Sequence, residues 1–246
     1  MSNVFPKWTN RLPLLVLVGG GLLGGGVVTG VTYYFTPKYT RVGYQPVQPV
    51  SFSHKVHAGE LGMDCRFCHN MVEKSWFSNV PAASTCMKCH TKVLAKDSRL
   101  APVRASFYGE DANHDGELQK DEDKNGNGKN DRPALPWVQI HKTPDYVYFD
   151  HSVHVTRGIS CVKCHGRVDQ MDEVRQAKSL SMAFCLDCHR NAHENVRPLD
   201  KVTDLDWEGG SDSHGYAYHF VDETDGVSLA DKLGVRASES CSVCHR

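Results

Sequence analysis

The sequence lacks an excess of charge of either sign. Its 28 Lys+Arg against 29 Asp+Glu leave a formal net charge of −1 over 246 residues, so charge makes no case for a nucleic-acid partner. It also lacks the composition of a disordered chain, because 40% hydrophobic and 9% aromatic residues can support burial. Cysteine, with 10 residues, is too sparse for a small disulfide scaffold at about 4% of the chain. No cysteine stands alone.

The ten form five C-x-x-C pairs: Cys65/Cys68, Cys86/Cys89, Cys161/Cys164, Cys185/Cys188 and Cys241/Cys244. Each pair is followed directly by histidine, at His69, His90, His165, His189 and His245. C-x-x-C-H is the attachment sequence of c-type haem, with two thioethers holding the macrocycle and the adjacent histidine on the iron. Zinc ribbons and thioredoxin-like sites also use C-x-x-C, but neither requires a histidine after every pair. With 14 histidines in 246 residues, five such coincidences would arise about once in a million. The sequence therefore predicts five haem c groups, numbered 1 to 5 in chain order.

Covalent haem belongs outside the cytoplasm, and the N-terminus offers a way to hold it there. Leu12 to Phe35 is a run of 24 residues without a charge, about 36 Å long as a helix against a hydrocarbon core of about 30 Å. Trp8 precedes it and Tyr33, Tyr34 and Phe35 end it, as interfacial aromatics do. The run is long for a cleaved leader and no A-x-A site follows, so it reads as a retained anchor. Lys7 and Arg11 balance Lys38 and Arg41. The haems decide the orientation: N-terminus cytoplasmic, haem domain on the periplasmic or outer face of the inner membrane. Small-x-x-x-small pairs at Gly20/Gly24, Gly21/Gly25 and Gly26/Gly30 suit packing on partner helices. The span carries no ionisable group, so quinone chemistry would need another subunit.

Beyond the anchor (1–36), a proline-bearing linker (36–50) leads to an internal repeat. Phe52-Ser-His54-Lys-Val-His57 precedes motif 1 and Phe149-Asp-His151-Ser-Val-His154 precedes motif 3. Histidines three apart share a helical face, so one turn can supply distal ligands to two irons. His54, His57, His151 and His154 are thus the expected distal ligands of four haems. For the fifth, His141 beside Trp137 is the first choice; His193, His219 or a methionine (63, 71, 87, 171 or 182) remain open. Irons with two protein ligands leave no coordination site for substrate, which favours electron transfer over chemistry on a small molecule. No pair is followed by lysine, unlike the pentahaem nitrite reductases.

Between the units lies an acidic stretch. Asp111-Ala-Asn113-His-Asp115-Gly-Glu117, ending at Glu122, matches the calcium-loop template D-x-N-x-D-G-x5-E. Its oxygen ligands would be Asp111, Asn113, Asp115, the Glu117 carbonyl and bidentate Glu122. A second Asp/Asn/Gly loop follows at 123–131. The pentahaem domain (37–246) thus divides into a haem-pair unit (50–94), the acidic insertion (95–136), a second haem-pair unit (137–199) and the fifth haem (200–246). The soluble part, about 210 residues, has a compact radius of gyration of roughly 16–17 Å, so five macrocycles would lie close together and form most of the core. The expected fold is a mainly α and irregular, class III-like, haem-packed multihaem cytochrome c. Regular structure is limited to short helices, with one N-terminal transmembrane helix.

The anchor, the five motifs, the paired F-x-H-x-x-H, and the segments PWVQIHKTPDYVYFDHSVH and CLDCHRNAHENVRPLD resemble the pentahaem cytochrome c subunit (ActA type) of alternative complex III. The resemblance covers most of residues 1–207. It implies a respiratory, quinol-oxidising membrane complex, an iron–sulfur/molybdopterin-like subunit, polytopic quinol-binding subunits, a monohaem cytochrome and a soluble acceptor. The alternatives are a NapC/NirT-like quinol dehydrogenase and the multihaem subunit of a menaquinone reductase complex. The acidic insertion departs from the family's expected pattern.

Overall fold

An apolar run can satisfy its backbone in lipid only within itself, and Leu12–Thr40 does so as one helix, α1. A computed structural model describes residues 5–111, 119–124, 126, 128–207 and 227–245, with the backbone alone for 35–39. Among these residues, Lys7–Tyr34 is the one helical stretch long and apolar enough to cross a membrane, with a mean hydropathy of 2.0. The helix passes the expected end at Phe35 and takes in Pro37, forgoing one backbone bond close to its terminus. Arg41 ends it in left-handed geometry, φ 54°. The linker therefore begins about five residues later than the composition suggested.

Residues 1–42 form one unit and 43–246 another. Among the described residues of the second unit there are short helices, two isolated bridges and no strands. The helices are α2 (Cys65–Cys68), α3 (Ala83–His90), α4 (Ala101–Tyr108), α5 (His151–Val155), α6 (Cys161–His165), α7 (Met182–Arg190), α8 (Leu229–Lys232) and α9 (Cys241–Cys244). Five of these carry the C-x-x-C pairs, so each pair's cysteines, three apart, lie on one helical face. Local capping fixes where several begin: Asp64 accepts from the Arg66 N–H, Asp150 from Ser152 and Ser181 from Phe184.

The apolar core is small. One cluster joins Val50, Ala83, Met87 and Val103; a second joins Ala192, Val196, Ala230 and Val235. Among the described residues no Leu, Ile, Phe, Tyr or Trp is fully buried, although these usually dominate interiors. Close backbone approach substitutes for bulk at Gly158, φ +80°, where a Cβ would run into the Arg197 carbonyl. There Ile159 bridges Val196 and the Arg197 N–H donates to the Gly158 carbonyl at 2.8 Å.

Candidate haem-iron sites

The cysteines are all free thiols, without a disulfide, and the histidine after each pair is held beside its helix. What each histidine faces is the test of the sequence reading. Two imidazoles on opposite sides of one iron, each bonded at about 2.0 Å, place their ring centres about 6.3 Å apart. His54 and His69 are 6.5 Å apart with an interplanar angle of 1°. His57 and His90 are 6.2 Å apart at 58°. His151 and His165 are 6.3 Å apart at 8°, and His154 and His189 6.3 Å at 48°. All four expected proximal–distal pairs thus stand at the separation an axial pair requires. Among the described residues no three His, Cys, Asp or Glu side chains converge as a bare-ion cage.

Their hydrogen bonds aim the rings. Nδ1 of His57 donates to the Ser53 carbonyl (2.8 Å), of His69 to Asn79 (2.8 Å), of His90 to Val93 (2.9 Å), of His151 to Trp76 (2.8 Å), of His154 to Asp150 (2.7 Å) and of His189 to Ser238 (2.7 Å). A carbonyl can only accept, so the proton sits on Nδ1 and Nε2 presents its lone pair. His54 differs from these six: its Nδ1 is buried without a partner. Burial, then neighbouring imidazoles, pushes His165 down to about 3 and His54 down to about 4. Burial also lowers His69 and His154. Each effect keeps the ring neutral, the form that binds a metal.

The phenylalanine of each repeat has a role that the motif alone did not assign. Phe52 stacks on His57 at 4.4 Å and 27° and meets His54 edge-on at 4.8 Å. Phe149 repeats this with His154 (4.6 Å, 27°) and His151 (4.8 Å). The recurrence of F-x-H in register was the available signal.

The fifth motif is arranged differently. His245 bridges Val147, Tyr148 N–H donates to the Cys244 carbonyl at 2.8 Å, and the Tyr146 ring lies 5.8 Å from His245. His141 stands edge-on to His165 at 4.3 Å, beside the ligand proposed for haem 3. His193 is exposed in a 3-10 turn, and His219 lies outside the described residues. Among the methionines, Met87 is only 2% exposed within the first cluster and Met171 is buried, whereas Met71 and Met182 are exposed and Met63 partly covered. In the acidic loop Asp111 and Glu122 are buried, at 4% and 9% exposure, and Glu122 accepts from the Gln119 N–H at 3.1 Å. Asn113, Asp115 and Glu117 lie outside the described residues.

Residues 35–123 match the Class III cytochrome C family, a segment containing the whole first haem-pair unit. The chain is also 32% identical over 121 residues to the menaquinone reductase, multiheme cytochrome c subunit, of Nitratidesulfovibrio vulgaris. That similarity covers 49% of this chain and 47% of the relative, so the chain spans about half the length of the curated relative it matches. The matches support a multihaem cytochrome c. Haem c is the cofactor such a cytochrome implies, and the paired histidines at iron-spanning separations fit it. The class III-like, helical and irregular fold expected of the cytochrome is the one observed, with an apolar N-terminal helix suited to anchoring.

Proposed function

We propose that the chain is a membrane-anchored pentahaem cytochrome that relays electrons within a quinone-active membrane complex. The observation that carries this reading is the set of four histidine pairs at 6.2 to 6.5 Å. In this reading the five C-x-x-C pairs form the thioethers, and His69, His90, His165, His189 and His245 are the proximal ligands. His54, His57, His151 and His154 are distal to four haems. Bound haem supplies a one-electron Fe(III)/Fe(II) couple. The chain's own residues fill both axial positions of four haems, and carbonyl hydrogen bonds at Nδ1 of His57, His69, His90, His151, His154 and His189 turn Nε2 toward the iron.

The helix at Leu12–Thr40 anchors the subunit with its N-terminus in the cytoplasm and its haems on the outer face, docked on polytopic quinol-binding partners. In the quinol-oxidising direction, as in alternative complex III, electrons pass from those partners through the haems to a periplasmic acceptor. The relative's name favours a second reading, in which the same relay feeds menaquinone reduction. Purified complex should show four or five low-spin haems by EPR, no high-spin signal and no carbon monoxide adduct on at least four reduced haems. Stopped-flow reduction by quinol on one side, and by a low-potential donor on the other, tells the two directions apart. Free carbon monoxide access to most haems would end the relay reading.

A further inference from the structure

We infer that the haems are wired in the order 2–1–3–4–5, so that current crosses between the two haem-pair units at haems 1 and 3, and haems 2 and 5 are the two ends. The order rests on the pentahaem reading above. It differs from the order of the motifs in the chain, in which haem 2 would adjoin haem 3.

Each link is carried by contacts on the molecule. His54 and His57 lie on one turn and face His69 and His90, so a single turn holds haems 1 and 2; His151 and His154 hold haems 3 and 4 likewise. The crossing is made by two adjacent residues. The Val202 carbonyl accepts from the Cys161 N–H (3.4 Å) and the Ser160 hydroxyl (2.7 Å), at the start of α6. The Thr203 hydroxyl donates to Asp64 (2.9 Å), the cap of α2. The N-termini of α2 and α6, which begin at Cys65 and Cys161, are thereby pinned together. The first thioether of each motif would form there, which sets the haem 1 and haem 3 edges side by side. The segment just after motif 1 also grips the distal turn of haem 3: Ser152 N–H donates to the Ser75 carbonyl (3.2 Å) and His151 Nδ1 to Trp76 (2.8 Å). By contrast α3, which carries motif 2, packs Ala83 and Met87 in the cluster with Val103 of α4.

At the other end, His189 Nδ1 donates to the Ser238 carbonyl (2.7 Å) and Arg190 pairs with Glu239 (3.0 Å), tying motif 4 to the lead-in of motif 5. Cys89 and Cys241, in motifs 2 and 5, are the two exposed cysteines. Each transfer along the wire moves one electron, oxidising the donor iron from Fe(II) to Fe(III) and reducing its neighbour, with no proton or ligand exchanged. A quinol-oxidising partner supplies electrons at one end and a one-electron carrier removes them at the other.

The test is an EPR-monitored redox titration of the full-length, haem-loaded protein in detergent. A charge change on one haem shifts the midpoint of each neighbour. His54→Met, at haem 1, should displace the midpoints of two other haems, and His57→Met, at haem 2, of one. If His57→Met displaced a haem of the second unit while His54→Met displaced haem 2 alone, the order would be overturned. Iron positions in the wild-type holoprotein, obtained by cryo-electron microscopy, test the order without any substitution. Iron 3 nearer to iron 1 than to iron 2 supports it, and the reverse defeats it. A wild-type intact mass short of five haems would overturn the pentahaem reading itself, and is measured before either variant is made.

Discussion

The two haem-pair units solve one problem with different backbones. In the first, the distal turn is a π-helical turn, Lys55–Glu60, entered from His54; in the second it is α5, capped by Asp150. The ring geometry is nevertheless repeated. The first histidine of each turn makes a near-parallel pair with its partner, at 1° and 8°, and the second a tilted pair, at 58° and 48°. Ring angle therefore follows position in the F-x-H-x-x-H repeat rather than helix type. What differs is the support of the first ring, since His151 Nδ1 has the Trp76 carbonyl and His54 Nδ1 has no partner. A hydrogen-bonded Nδ1 makes an imidazole a stronger donor, so the two parallel pairs are alike in geometry and unlike in electronics.

Replacing the distal ligands probes that difference most severely. His54→Met and His151→Met should each change one haem's spectrum, raise its potential and slow quinone-linked turnover by about tenfold or more. The His151 variant should show the larger potential change, because it also loses a supported donor. Equal changes in spectroelectrochemical titration would remove the asymmetry. The wild-type EPR spectrum should contain two classes of low-spin haem, two members each, separated by g anisotropy according to parallel or tilted rings; one uniform class would contradict the repeat of angles.

Smaller effects test what lies around and between the units. Asp111→Ala with Glu122→Ala should abolish bound calcium in elemental analysis and lower Tm by several degrees at saturating calcium, on the order of 3 kcal/mol for a tight site. Absence of calcium from the wild type would dispose of that site. Phe52→Leu and Phe149→Leu should each cost about 1 kcal/mol of stacking in denaturant titration, equally in the two units. Smallest is an acid effect at the cap of α2. Hydrogen bonding from the Arg66 side chain lowers Asp64 from 3.8 to about 2, so its contribution is present above about pH 4 and lost as pH falls through about 2. Asp64→Asn should flatten acid unfolding in that window, while the position before motif 3, Ser160, carries no charge to lose.

Much of the candidate site was readable from residue order because it is a local motif: Cys65-x-x-Cys68-His69 and its four copies share one spacing, and each C-x-x-C falls on a short helix. That His54/His57 and His151/His154 would face the motif histidines was readable from two F-x-H-x-x-H turns in register with the motifs. The ring angles and the unpartnered His54 were not, since they depend on which carbonyl lies nearby in space. The pinning of Asp64 and Ser160 by Thr203 and Val202 joins residues far apart in sequence, with no periodicity to announce it. His141 was chosen by proximity to Trp137, a weak criterion, and the structure sets its ring against His165. The helix boundary was misplaced because Pro37 reads as a breaker, yet the helix continues past it to Thr40.

The pairing of Tyr148 with Cys244 and of Val147 with His245 bears on the order in which the chain assembles. These bonds close a loop of nearly a hundred residues (147 to 245), and long loops lose more chain entropy on closure than local turns do. The turn carrying His151 and His154, immediately downstream of Tyr148, is buttressed from this side only once α9 has arrived. On the pentahaem reading, attachment at the fifth motif is thus the step that locks the second unit, and a stall there would leave four haems and a loose distal turn. Protease should cut such an intermediate around residues 144–150 and spare the finished protein.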